Sequence, residues 1–323
     1  MARPLYAPVL HGATCGRADE IDTIRAAVAV HSALRARGFD SAVIRTDAGL
    51  DALRNFDARR PDVVFNLVEA LDGRSAAAAM AIRAIETRGL AVTGASADAY
   101  RRASDKLVAK AELAAAGLPT PAWSADGLGL SGPVIVKSVA EHASLGIDAG
   151  SVMAADLAPA AIARRAVEFG DAFFAEAYVD GREFNISVLD GAVLPPAEIE
   201  FVGFAPDVPR IVDWNAKWVE DSAAYANTPR RFAFPEEDSC LLAVLTRLAE
   251  RAADLFDLNG YARVDFRVDA KGQPWILEVN ANPCLTPDAG FAAAAMEAGL
   301  DYDTLVERIA CAAVRGHRRR AAA

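Results

Sequence analysis

At 323 residues the chain is long for a single core and comfortable for two or three lobes of about 100 residues each, and a composition that is 53% hydrophobic and 24% charged is that of a globular protein. A net charge of −10, from 34 lysines and arginines against 44 aspartates and glutamates, argues against a nucleic-acid surface, because phosphate binding needs clustered cations. No run approaches the roughly 18 apolar residues of a membrane span, residues 1–10 lack the apolar core of a signal peptide, and Cys15, Cys240, Cys284 and Cys311 are too scattered for a zinc site or a disulfide framework. These features predict a cytoplasmic location, reduced thiols, and neither nucleic-acid nor membrane partners.

Short apolar runs alternate with helical periodicity at the start. Strands are expected at 7–10, 42–45, 63–68 and 90–93, and helices at 19–37, closed by Gly38, and at 75–88, closed by Gly89. Such alternation implies a parallel sheet covered on both faces. Ligands bind beyond the carboxyl ends of such strands, here 11–20, 69–74 and 94–96. His11-Gly12 and Gly73 either bring backbone amides to a substrate or serve only their turns.

A boundary follows near Ser96, and Ser104-Asp105-Lys106 opens a helix that runs to Gly117 and is stopped by Pro119 and Pro121. A buried strand at 133–136 ends in Lys137 beside the small-residue loop 138–146. A lysine there suits a phosphate cradle, or it merely solubilises a strand edge. The segment 173–189 reads as two strands joined around Asp180-Gly181, with Glu176 and Glu183 bracketing the turn and Phe184, Ile186 and Val188 pointing inward. After 195–200 comes an irregular stretch, 206–228, rich in aromatic and charged residues (Trp214, Lys217, Trp218, Asp221, Tyr225); it is an active-site cover or it is disordered. A long helix is expected at 236–256 and two closing helices at 289–315, before the basic run 318–320 in a frayed tail.

Between them lies 261–287. Two alternating runs flank the turn Asp269-Ala270-Lys271-Gly272, so an antiparallel hairpin is expected, with Asp265 opposite Ile276 and Arg263 opposite Glu278. That register puts Arg263, Asp265, Glu278 and Asn280 on one face and Ala262, Val264, Phe266, Trp275, Leu277 and Val279 on the core face. The Asp265 and Glu278 carboxylates would then be diagonal neighbours that converge on a divalent cation, or the face is an ordinary solvated one.

Taken together, these pieces resemble the ATP-grasp superfamily and, within it, the D-alanine:D-alanine ligase-like carboxylate-amine ligases, most strongly over 104–287. The resemblance implies an α/β and α+β architecture. A parallel-sheet α/β lobe (1–95) is followed by two α+β lobes enclosing ATP (96–180 and 181–316), with a disordered tail at 317–323. Lys106 and Lys137 match the family's phosphate-binding lysines; Glu176, Tyr178 and Val179 match the adenine-binding hinge; Glu183 matches the acid on the ribose hydroxyls. Lys217 looks like the loop lysine on the terminal phosphates, and Asp265, Glu278 and Asn280 match the ligands of Mg²⁺, with Mn²⁺ as the substitute. Arg263 would steady the oxyanion of a tetrahedral intermediate, and Ser144 is the serine kept from the loop motif. The implied reaction is ADP-forming ligation of a small-molecule carboxylate to an amine through an acyl phosphate, in a chain for which a homodimer is admitted.

The substrate half departs from the family pattern. Ala143 and His142 replace a serine and a glycine of the loop, Trp218 stands where a tyrosine is usual, and 69–73 lacks the histidine and the Gly-Glu-Asp-Gly run. Cys284 and Ala289 replace the glycine and serine that grip the second amino acid; Glu20 and Asn282 remain substrate-side candidates. Substrates other than two D-alanines are therefore expected. The alternatives are a nucleotide-binding regulator with a degenerate substrate site, or a kinase on the same scaffold.

Overall fold

The computed structural model describes residues 3–14, 16–141, 143–219 and 221–322, so the readings placed on Cys15 and His142 lie outside the described residues. Apolar strand residues build the first sheet. Its strands β1 (Val9–Gly12), β2 (Val43–Thr46) and β3 (Phe65–Asn66) are parallel in the order β2-β1-β3, with Val9 paired to both Val43 and Phe65. The fourth expected strand is reduced to one parallel bridge, Val64 to Val92. Helix α1 (Ala18–Ala36) buries Ala26, Ala27, Val30 and Leu34 and is stopped by Gly38 at φ 82°. A short α2 (Asn55–Ala58), then α3 (Ala78–Glu86), follow. An unforeseen helix, α4 (Ala97–Ser104), starts where the Ser96 hydroxyl accepts from Ala99 N.

Helix α5 (Lys106–Ala115) begins as the sequence implies, with the Asp105 carboxylate accepting from Leu107 N and Val108 N at 3.0 and 3.1 Å. The second sheet joins β4 (Trp123–Ser124), β5 (Pro133–Ser138), β6 (Val152–Ala154) and β7 (Phe173–Ala177) in the order β4-β7-β5-β6, antiparallel, with α6 (Ala158–Phe169) packed on it. The third sheet takes β8 (Gly181–Leu189), β9 (Ala192–Val193), β10 (Ala197–Ile199), β11 (Arg230–Arg231), β12 (Tyr261–Asp269) and β13 (Pro274–Asn280) in the order β11-β10-β8-β12-β13, with β9 on β8. The two strands expected in 173–189 form on either side of 178–180, but they belong to different sheets, β7 beside β5 and β8 beside β12. At one end of the β8–β12 pairing a Cβ on Gly181 would meet the Val268 carbonyl oxygen at 2.0 Å, so the close approach there needs a bare backbone.

The irregular stretch carries two short helices, α7 (Trp214–Trp218) and α8 (Ala223–Ala226). Helix α9 (Ser239–Leu255) lays Leu245, Ala249 and Ala252 on the apolar face formed by Phe184, Ile186, Val264, Phe266 and Ile276. Helix α10 (Gly290–Glu297) and α11 (Tyr302–Ala322) close the chain, α11 packing on α1. The expected disordered tail at 317–323 is instead helical to Ala322: alanines and arginines favour helix, and basic residues suit a helix C-terminus. No helix among the described residues is long and apolar enough to cross a membrane.

The hairpin register also differs from expectation. Arg263 pairs with Asn280, Asp265 with Glu278 and Phe266 with Ile276, with a bulge between the last two pairs. One extra residue, Leu277, is absorbed there, which turns Ile276 into the core and leaves Trp275 and Leu277 half-buried outside it. Asp265 and Glu278 are in consequence directly opposed rather than diagonal.

Candidate active site

The polar face of the third sheet carries the chemistry because β8 and β12 alternate in phase. Arg263 pairs with Ser187, Asp265 with Asn185 and Arg267 with Glu183, all on the face opposite the apolar core. Above this face lies a cavity of ≈ 520 Å³, within the range of small-molecule sites. Lys106, Lys137, Glu183, Lys217 and Ser144 line it, as do the hairpin residues Arg263, Asp265, Glu278 and Asn280. Glu20, Trp218, Asn282 and Cys284 line it too. The structure therefore brings together thirteen residues read from sequence and leaves Glu176, Tyr178 and Val179 off the lining.

Within the hairpin, Arg263 grips Asp265 with two bonds of 2.7 and 2.8 Å, and Asn185 Nδ2 donates to the same carboxylate at 2.9 Å. Burial pushes the Asp265 carboxyl up, Arg263 opposes that, and the facing Glu278 adds to it. Burial also works against the Arg263 charge, but Asp265 outweighs it and holds the guanidinium protonated. Lys106 Nζ stands 3.7 Å from Glu278 and donates to the Glu141 carbonyl. Burial lowers the pKa of both Lys106 and Lys217, with Glu278 pulling the other way in each case.

Two directly opposed carboxylates, Asp265 and Glu278, beside the Asn280 side-chain oxygen fit a divalent cation. Among the described residues no group of three His, Cys, Asp or Glu side chains could hold a metal unaided. Mg²⁺ takes one or two carboxylates and completes its shell with phosphate oxygens and water. Asn280 Oδ1 accepts from Asn282 N at 3.0 Å and keeps a second lone pair.

Several side chains have employment the sequence did not disclose. Glu176, expected on adenine, is 1% exposed and lies between Lys110 Nζ, at 2.5 Å, and Lys137. Burial opposes its charge, yet the two lysines hold its carboxyl below the usual range. Tyr178 N donates to the Pro133 carbonyl and its hydroxyl bonds the Arg210 backbone, so its amide is not open to a ligand. Arg267, which sequence reasoning passed over, is 3% exposed and holds Glu183 at 2.8 Å. Its signal was the i+4 alternation from Arg263, which places it on the same strand face. Ser144, at φ 61°, donates to the Val212 carbonyl at 2.9 Å, and Trp218 Nε1 donates to the Ala143 carbonyl at 2.8 Å. The loop 138–146 and the cover segment are clasped together at these two points.

On the substrate side Gly12 has a steric task, since a Cβ there would sit 2.2 Å from the Ala70 carbonyl oxygen. Gly73, at φ 73°, serves its turn. Glu20 accepts from Arg17 N at 3.2 Å. Asn282 Oδ1 accepts from the buried Tyr261 hydroxyl at 2.5 Å. Cys284 Sγ donates to Asp22 at 3.0 Å, and burial together with Asp22 pushes this thiol well up. Glu69 hydrogen-bonds Thr23, and burial aided by Asp19, Asp22 and Glu141 pushes its carboxyl up to about 8. A carboxyl raised from 4.5 by folding binds a proton the unfolded chain has released, so stability falls as pH rises across that window. Glu69→Gln is expected to flatten the decline of melting temperature between about pH 5 and about pH 8; an unchanged slope would show that Glu69 is ionised throughout.

Residues 125–310 match the family described as D-ala D-ala ligase C-terminus. The D-alanine–D-alanine ligase of Methylococcus capsulatus is 34% identical over 296 residues, covering 89% of each chain, and that of Chromohalobacter salexigens is 34% identical over 292, covering 87% of this chain and 84% of that one. The crystal structure of D-alanine–D-alanine ligase from Bacillus anthracis complexed with ATP superposes with a TM-score of 0.77 at 19% identity, over 98% of this chain and 99% of that one.

Proposed function

Because the chain belongs to the D-alanine–D-alanine ligase family and is an ATP-dependent, ADP-forming carboxylate-amine ligase, we propose that it phosphorylates the carboxylate of one small amino acid and joins it to the amine of a second. The observation that carries this reading is one continuous cavity. Three lysines, two hairpin carboxylates and the substrate-side residues Glu20, Asn282 and Cys284 share it.

In this reading Lys106, Lys137 and Lys217 neutralise the triphosphate, which is most of what phosphoryl transfer asks of a protein. Asp265 and Glu278, with Asn280, would hold Mg²⁺, which would offset charge on the phosphate oxygens. Glu183, held by Arg267, accepts from the ribose hydroxyls. The first carboxylate attacks the γ-phosphate and ADP leaves. The second substrate's amine then attacks the acyl carbon, Arg263 faces the oxyanion, and phosphate departs. Burial of Lys106 and Lys217 strengthens each contact by excluding water. The three separate sheets, one within each of 1–95, 96–180 and 181–316, support that division into lobes.

Support for a pair other than two D-alanines comes from Cys284, whose Sγ is tied to Asp22 where the family pattern has glycine, and from the acid Glu69 in the same cavity. Amino acids are to be screened in pairs for ADP release, with product mass recorded. ADP and an amide are expected only when an amine partner is present. A stable phosphorylated product without amide would make the protein a kinase, and absence of turnover with every pair would favour the regulator. Two D-alanines as the best pair would remove the substrate claim alone.

A further inference from the structure

A buried charge cluster lies beside the cavity rather than in its lining. Lys110 and Glu176 are each 1% exposed, and Glu176 is shared between Lys110 and the cavity-lining Lys137. Lys110 Nζ also donates to Thr120 Oγ1 at 2.9 Å, and that hydroxyl donates in turn to the Ile276 carbonyl at 2.9 Å. Ile276 N donates to the Pro119 carbonyl at 2.8 Å. The outward backbone groups of edge strand β13 at Ile276 are thus both held by residues 119–120, immediately before the bulge that sets Glu278 opposite Asp265. Lys110 lies four residues after Lys106, so α5 sends one lysine into the cavity and the next turn's lysine to this cluster.

We propose that Lys110 is a positioning residue for metal-nucleotide binding: it shares the Glu176 charge so that Lys137 can turn to phosphate, and through Thr120 it fixes the bulge that presents Glu278. The inference rests on the ligase reading of Lys137 and Glu278. With Lys110 present, two ammonium groups face one carboxylate, leaving a net positive charge for an anion. Without it, Lys137 would be the one remaining ion-pair partner of this buried carboxylate among the described residues and would be bound to stay with it, because an unpaired buried charge is strongly unfavourable. A hydroxyl has one proton and two lone pairs, so Thr120 can accept from Lys110 and donate to Ile276 at once.

The test is calorimetric binding of ADP with Mg²⁺, which requires no knowledge of the amino-acid substrates, with melting temperature measured alongside. Lys110→Met is expected to weaken binding about tenfold, the loss of a charge-assisted hydrogen bond, and Lys110→Arg to recover most of it by keeping the charge. Thr120→Val leaves the Glu176 pair in place and is expected to raise the Mg²⁺ concentration for half-saturation about threefold. Should Lys110→Met fail to fold, the other two variants carry the test. A folded Lys110→Met with a lower melting temperature but wild-type binding would overturn the proposal. So would a folded arginine variant that loses binding despite keeping the charge, or a valine variant of unchanged Mg²⁺ dependence. Wild-type protein that binds no ADP with Mg²⁺ would instead sink the ligase reading on which the inference rests.

Discussion

Glu278→Gln is expected to lower ADP release at least about a thousandfold while leaving the fold in place. The side chain keeps its shape and loses only its charge. Its carboxylate lines the cavity, whereas its neighbour Val279 faces the core, so the packing against α9 is undisturbed. Lys106 retains its bond to the Glu141 carbonyl, and Asp265 loses the like charge that helps to raise it. Stability is therefore expected to be preserved within about 1 kcal/mol. Steady-state ADP release and thermal unfolding measured on one preparation decide the matter. Near-normal turnover would remove the hairpin from the mechanism, and an unfolded variant would mean that Glu278 serves structure first.

Arg263→Lys is expected to reduce kcat about a hundredfold or more with a much smaller change in KM for ATP. The guanidinium reaches Asp265 through Nε and one Nη atom, leaving its other donors for the reacting centre. An ammonium group keeps the charge but cannot reproduce that fork, so it must satisfy either Asp265 or an oxyanion. If KM for ATP rose while kcat held, Arg263 would be a ground-state ligand of the nucleotide. Some loss of stability accompanies the change, because Asp265 is buried and depends on both bonds.

What could be read from the sequence was whatever is fixed by neighbours along the chain. Asp105 caps α5 through amides two and three residues away, so both the start of that helix and the placement of Lys106 were legible. Alternation alone sorted Arg263, Asp265, Glu278 and Asn280 onto one face, and it did so despite a mistaken register. The bulge escaped because it depends on residues 119–120 covering the edge of β13, some 150 positions earlier in the chain. The role of Glu176 escaped for a similar reason: its partner Lys110 lies on another element, and only the i, i+4 spacing from Lys106 hinted at a second inward lysine. Two strands were evident in 173–189, but which sheet each joins depends on distant partners, β5 for β7 and β12 for β8, and alternation does not encode those pairings.

The clasp between Ser144 and Val212 and between Trp218 and Ala143 also bears on timing. In the proposed reaction these two bonds, while they hold, would shield the acyl phosphate from bulk solvent, so that the mixed anhydride would meet its amine rather than water. Product release would in turn require the two bonds to part. Hydrolytic leakage and release would thereby be coupled through one opening event, and a looser clasp would speed the second only by wasting ATP through the first.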